Sequence, residues 1–335
     1  MENKILYNGI KIPFLGMGTD KIKDGADVIN LVKSAIKAGY RLIDTAELYH
    51  NETGIGIAIK ESIEEGLCKR EDLFIQTKAP FHFPGYNSTY KGLSESLDCL
   101  GLDYIDMYLI HHPYRNSLKW EREVIDVYCA LENLYKEGKT KAIGVCNFSV
   151  PHLTYILKDA EIKPMINQIE FNPMRQQNEV VKFCNNNDIV IQSWGTLNQG
   201  RIFDYPVFNE IGKKYSKSAS QVAIKYSLQK GNIALIRTGC EERMIENLNV
   251  FDFLLTEDEI QKLDSLNDGD FSNNHVDISL DVDMKYEYHP SVFTRIYELF
   301  GLIPFFKKCR YRWNNEKWYF CGIPVLKIKT KDKIV

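Results

Sequence analysis

Asp44, Tyr49, Lys78 and His111 are the side chains in this sequence whose types and spacing most readily suggest chemistry. A tyrosine hydroxyl titrates near ~10 in water, so alone it is a reluctant acid or base at neutral pH. A neighbouring ammonium stabilises the phenolate and lowers that value, and a carboxylate can hold the ammonium in place. Asp44 and Tyr49 stand at the two ends of Asp-Thr-Ala-Glu-Leu-Tyr, within reach of one inward turn. Lys78 and His111 each follow an apolar run. Together they read as a proton-transfer unit at a carbonyl oxygen, with Tyr49 as the donor and His111 orienting the oxygen or sharing the proton. A hydride would have to come from a cofactor, since no side chain can donate one. Each residue alone has a plainer reading, as a rim ion pair, a half-buried tyrosine or a loop histidine; only joint placement favours the chemical one.

The elements that must position them are legible as short apolar runs alternating with amphipathic stretches. The runs are Phe14–Met17, Arg41–Ile43, Leu73–Thr77, Tyr104–Ile110, Ala142–Val145, Met165–Ile169, Ile189–Gln192 and Ile233–Ile236. They read as buried parallel strands. Asp27–Lys37, Val124–Lys136, Ser218–Gln229 and Glu257–Leu266 have helical spacing, and Thr256 with Glu259 forms a capping-box pattern. Strand–helix alternation of this kind predicts an α/β fold, a (β/α)₈ barrel over residues 1–269. The opening Ile5–Tyr7, Asn8-Gly9 and Ile10–Ile12 predict a tight hairpin plugging the N-terminal end. Chemistry in such barrels sits at the C-terminal strand ends. There the runs deliver Thr19, Asp44, Lys78, His111, Asn147, Gln168, Trp194 and Arg237, one polar or aromatic group from each.

A net charge of -3 gives no reason to expect a nucleic-acid partner. The eight cysteines form no C-x-x-C pair and no cluster at ligand spacing, which predicts reduced thiols, no metal and a cytoplasmic protein. No signal peptide or transmembrane-length run is evident.

In its motifs the chain resembles the aldo-keto reductase family over roughly residues 5–268. These are Gly16-Met17-Gly18-Thr19, Leu42-Ile43-Asp44-Thr45-Ala46 running to Tyr49 and Asn51-Glu52, and Phe74-Ile75-Gln76-Thr77-Lys78. Further on come Gly101-Leu102-Asp103-Tyr104 to His111, Gly144-Val145-Cys146-Asn147-Phe148-Ser149, Asn167-Gln168, and Arg243 to Glu246-Asn247. The resemblance implies a catalytic tetrad of Asp44, Tyr49, Lys78 and His111. It implies that Asn147 and Gln168 hold a nicotinamide carboxamide, beside Cys146 where serine is usual, and that Trp194 stacks on the ring. Gly18, Thr19, Gly195, Leu197, Glu246 and Asn247 are implied as further cofactor contacts. The segment from Arg237 and Thr238 to Arg243 looks like a 2′-phosphate site, which points to NADPH/NADP⁺; a guanidinium there binds phosphate in place of the common lysine. Gly54-Ile55-Gly56 is no dinucleotide fingerprint, because it opens a helix and lacks the third glycine.

Where family members often wall the pocket with tryptophan, this chain has Asp20, Pro80 and His112, followed by Phe81. Buried polar walls need polar partners, so the expected small-molecule carbonyl is hydroxyl-rich and sugar-like. After residue 269 the barrel pattern stops, and residues 270–290 read as a linker or lid. In residues 291–335, Phe300-Gly301-Leu302-Ile303-Pro304 recurs as Phe320-Cys321-Gly322-Ile323-Pro324, with basic and aromatic residues between. That composition suits a membrane interface or an acidic protein groove, and the Ile-Pro repeats resemble tails on some bacterial surface-glycan glycosyltransferases. The alternative to an enzyme is a reductase-like NADP(H)-binding scaffold or regulatory subunit that docks through this tail.

Overall fold

The computed structural model describes residues 2–80, 85–113 and 120–269, with the backbone of residues 292–299, 303–311, 315–320 and 323–329. Two short antiparallel strands come first, β1 (Asn3–Ile5) and β2 (Lys11–Pro13), with Ile5 opposite Lys11. The loop between them is longer than the tight turn expected from Asn8-Gly9. Leu6 N–H donates to Ile10 O and Gly9 N–H to Leu6 O, so the pairing closes on a three-residue loop, Tyr7-Asn8-Gly9, instead of a two-residue turn. The hairpin does plug the barrel: Leu6 and Ile12 pack with Leu42, Phe74, Met107, Met165 and Ile233, at the N-terminal side of the strands.

The apolar runs form β3 (Leu15–Gly18), β4 (Leu42–Asp44), β5 (Phe74–Lys78), β6 (Met107–Ile110), β7 (Ile143–Cys146), β8 (Ile166–Glu170), β9 (Val190–Trp194) and β10 (Ile233–Ile236). All neighbours run parallel, and β10 pairs with β3 to close the barrel. Helices α1 (Ala26–Ala38), α2 (Glu52–Glu64), α3 (Tyr86–Leu100), α4 (Trp120–Lys136), α5 (Val150–Leu157) and α6 (Asn178–Asn186) alternate with the strands. Two helices then follow each of the last strands, α7 (Pro206–Tyr215) and α8 (Ala219–Gln229) after β9, and α9 (Glu241–Leu248) and α10 (Glu257–Asp264) after β10. At the start of α10 the Thr256 hydroxyl accepts from Glu259 N–H at 3.3 Å, and the Glu259 carboxylate accepts from Thr256 N–H at 2.9 Å. Among the described residues no helix is long and apolar enough to cross a membrane.

The predicted strand over Tyr104–Ile110 is shorter, beginning at Met107. The Asp106 carboxylate accepts from Ile75 N–H and pairs with Arg70 and Lys141, while Ile105 makes only an isolated bridge to Thr140. Side-chain hydrogen bonding there replaces part of the ladder.

Beyond the barrel, β11 (Val292–Leu299), β12 (Ile303–Tyr311), β13 (Asn315–Phe320) and β14 (Ile323–Lys329) form an antiparallel sheet in chain order. The sequence repeat is a repeat of hairpins. β12 and β14 both begin at Ile-Pro, and the register shifts opposite Pro304 and again opposite Pro324. Proline has no N–H to give a ladder, so an irregularity at both places is the expected response. The proposed linker, residues 270–290, lies outside the described residues.

The Gly54-Ile55-Gly56 segment serves helix packing. A Cβ on Gly56 would stand 2.6 Å from the Leu100 carbonyl oxygen, and one on Gly54 would stand 2.4 Å from a Val28 methyl. The backbone at Leu100 cannot yield as a flexible side chain could. Gly56→Ala is therefore expected to destabilise the fold by about 1–3 kcal/mol through overpacking, read as a lower urea midpoint with an unchanged slope.

Candidate active site

Strand register explains the site's first feature. Asp44, at the end of β4, lies opposite Gln76 of β5, and Lys78 is two residues further along the same strand. Residues two apart share a face of a strand. Gln76 and Lys78 therefore both reach Asp44 inside the barrel mouth. Lys78 Nζ donates to Asp44 Oδ1 at 2.8 Å and Oδ2 at 2.9 Å, to Thr45 O at 2.9 Å and to the Tyr49 hydroxyl oxygen at 3.2 Å. Tyr49 arrives on a 3-10 turn, Glu47–Tyr49, just after β4. That connection is clamped by buried Asn51, which accepts from the Thr45 hydroxyl and donates to Thr19 O and Ile22 O. Thr19 in turn donates its hydroxyl and N–H to Asp44 O.

Burial alone would lower the Lys78 pKa; Asp44, Tyr49 and Cys146 overcome it and leave the ammonium raised and charged. Tyr49 goes the other way from the expectation. Burial dominates and pushes its phenol above the ordinary value, with Lys78 offsetting only part of the shift. His111 is buried, edge-on to Tyr49 with ring centroids 5.7 Å apart. Burial, His112 and Lys78 hold its pKa well below the usual value, so it is neutral near pH 7. Its Nδ1 has no hydrogen-bond partner among the described residues.

Asn147 sits in the left-handed region, at φ 63°. Its Oδ1 accepts from the Trp194 indole N–H at 2.9 Å, and its Nδ2 donates to His111 O at 3.2 Å and lies 3.0 Å from His112 Nδ1. This joins strands β6, β7 and β9 across the mouth. Gln168 is turned down into the barrel, its Nε2 donating to Asp44 Oδ1 at 2.9 Å and to Gln192 Oε1 at 2.8 Å. The buried Cys146 thiol, its pKa pushed up by burial, donates to Gln168 Oε1 at 3.4 Å. Gly18 ends β3 with open space where a Cβ would be.

After β9 the chain turns at Gly195, which accepts from Asn172 Nδ2, and continues through half-buried Leu197 to Asn198. Asn198 is 1% exposed, yet neither end of its amide has a partner among the described residues. Arg237 is exposed just after β10 and Arg243 is exposed in the first turn of α9, with Glu246 exposed and Asn247 buried further along that helix. The Thr238 hydroxyl accepts from Cys240 N–H.

The pocket residues divide. The His112 ring stacks on His111 at 4.7 Å. The Pro80 ring packs against Gly92 of α3. Asp20 is exposed, so it is a hydrated carboxylate and no buried polar wall. Phe81 lies outside the described residues. Sequence reasoning assigned no role to Gln76, Gln192 or Asn198; the signal for the two glutamines was an amide interrupting an otherwise apolar run.

A model of the aldo/keto reductase family matches residues 15–268. The chain belongs to this family. It is accordingly an oxidoreductase of carbonyl compounds. It is 44% identical over 263 residues to the uncharacterized oxidoreductase YtbE of Bacillus subtilis, covering 78% of this chain and 92% of YtbE. Glyoxal reductase of the same organism is 45% identical over 262 residues, covering 78% and 91%. A Bombyx mori aldo-keto reductase solved in complex with NADP has a TM-score of 0.76 at 30% identity, covering 82% of this chain and 95% of that one.

The Lys78–Asp44 pair is buried on both sides. Removing one partner of such a pair leaves an uncompensated charge. Asp44→Asn is expected to cost about 3–5 kcal/mol of stability at neutral pH, measured by denaturant unfolding.

Proposed function

We propose that this protein reduces an aldehyde or ketone to an alcohol with NADPH, Tyr49 protonating the carbonyl oxygen. The observation that carries this reading is the contact from Lys78 Nζ to the Tyr49 oxygen. An ammonium can only donate, so the Tyr49 oxygen accepts there and its own O–H remains available to a ligand. With the phenol raised by burial, Tyr49 keeps that proton across the neutral range. The developing alkoxide would meet the Tyr49 O–H and the nearby Lys78 charge, an electrostatic arrangement already in place before reaction. Neutral His111 can orient the carbonyl by donating one hydrogen bond without adding charge.

The residues present fit a nicotinamide dinucleotide phosphate. Gly18 leaves room over the mouth, the Asn198 amide is buried with hydrogen-bonding capacity to spare, and two exposed guanidiniums suit a phosphate. When bound, the cofactor supplies the hydride. Asn147, Gln168 and Trp194 would hold its nicotinamide end, and Arg237, Thr238 and Arg243 the 2′-phosphate, which favours NADPH over NADH. The NADP held by the Bombyx mori relative supports this choice.

Single-turnover reduction tests the assignment. The wild type should oxidise NADPH faster than NADH, at a rate flat from about pH 6 to 9 and still holding at the ordinary phenol value of ~10, because the burial-raised Tyr49 phenol ionises above it. Tyr49→Phe should lower that rate by about 10²- to 10⁴-fold; an unchanged rate would remove Tyr49 from the chemistry.

For the substrate, we favour a polar, hydroxyl-bearing carbonyl. The support for this is His112, a half-buried polar side chain beside Asn147 at the mouth; the exposed Asp20 is already hydrated and adds nothing to the preference. Across a panel, keto-sugars should show higher kcat/KM than aliphatic and aromatic aldehydes; the reverse order would overturn this preference. The basic, aromatic segment 291–335 is proposed as a docking element for a membrane surface or a protein partner, on its composition alone.

A further inference from the structure

Three glutamines lie beneath the Asp44–Lys78 pair, and all are buried: Gln76 on β5, Gln168 on β8 and Gln192 on β9. Gln76 Nε2 donates to Asp44 Oδ1 at 2.6 Å and to Gln192 Oε1 at 2.8 Å. Gln168 Nε2 makes the same two contacts, at 2.9 and 2.8 Å. Gln192 Nε2 returns a bond to Gln76 Oε1 at 3.1 Å. One physical fact orients all three amides. An ionised carboxylate accepts only, so the groups facing Asp44 must be the N–H₂ ends of Gln76 and Gln168. Their second protons then need an acceptor, and Gln192 meets both with its oxygen. With both Gln168 protons committed, that residue can offer a ligand only its Oε1, the atom already facing the protonated Cys146 thiol.

We propose that Gln76 and Gln192 are positioning residues for this reaction, fixing the Asp44 carboxylate on Lys78 and the polarity of Gln168 toward the ligand. This rests on the proposed role of Tyr49, because its effect reaches the carbonyl through Asp44, Lys78 and Tyr49. Neither glutamine touches substrate. Asp44 Oδ1 receives three donors, and losing Gln192 would leave two buried N–H groups without an acceptor and free both amides to turn.

The test uses the full chain and NADPH. Gln192→Leu should weaken NADPH binding only a few-fold, by quenching of protein fluorescence, because only the Gln168 contact is disturbed while the proposed 2′-phosphate site at Arg237, Thr238 and Arg243 is untouched. It should slow single-turnover hydride transfer at saturating NADPH by more than that. The expected loss is about 10- to 100-fold, as when an outer hydrogen-bond partner is removed at a metal site. Gln192→Glu should restore the rate to within about tenfold of wild type, because burial favours the neutral carboxyl. Its C=O can accept from both amides, and its O–H can donate to Gln76 Oε1. If Gln192→Leu does not fold, Gln76→Met, which removes one donor to Asp44 at similar volume, replaces it with the same expected split. A wild-type rate in Gln192→Leu or Gln76→Met, a loss of NADPH binding in proportion to rate, or a Gln192→Glu rate no higher than that of Gln192→Leu would each overturn the proposal. Tyr49→Phe measured alongside separates the two ideas. If it is inactive while Gln192→Leu is unimpaired, only the positioning role fails; if it is fully active, the role of Tyr49 itself has failed.

Discussion

An ammonium with no solvent exposure constrains this structure more than any other group. Lys78 cannot be buried unless a carboxylate faces it, and Asp44 does so with both oxygens. That requires β4 and β5 to hold their register, and it requires the β4 end to turn so that Thr45 O and Tyr49 complete the ammonium's shell. The Asn51 clamp, the Thr19 bonds to Asp44 O and the glutamines below all hold that geometry in place. With Lys78 charged, His111 neutral and Tyr49 protonated, a phenolic O–H stands next to a fixed positive charge at the mouth.

The barrel itself was largely legible, because strands buried on both faces read as unbroken apolar runs. Most strands begin one residue later than the runs, and several also end one later because the residue after the run completes the ladder, as Gly18, Asp44 and Lys78 do. Tyr104 and Ile105 were misread as strand because apolar character says nothing of where Asp106 sends its carboxylate. In the site, residue types and order suggested which side chains meet. The direction of the Tyr49 shift was not readable, since it depends on how deeply the phenol is enclosed. Nor was the exposure of Asp20, which a position near a strand end does not determine. Gln76 and Gln192 were visible only as polar interruptions, and a strand glutamine is as easily a solvent-facing residue as a buried one.

The family match ends at residue 268, while the chain continues through two hairpins whose second strands both begin at Ile-Pro. The reductase body and the tail therefore pose separate questions. The body has relatives at over 40% identity along nearly their whole length. The tail is described by its own internal symmetry: the backbone of one hairpin is used twice, with the same irregularity after the same proline.

The amide ring also bears on how such a sequence can change over time. Each glutamine supplies the hydrogen-bonding complement of another, so a drift at one position turns the remaining amides from assets into buried liabilities. Gln76 and Gln192 stand 116 residues apart in the chain, yet they form one heritable unit. A lineage can leave this arrangement by replacing the unit in concert, for instance with apolar residues of matching volume, more readily than by single steps through a half-satisfied core.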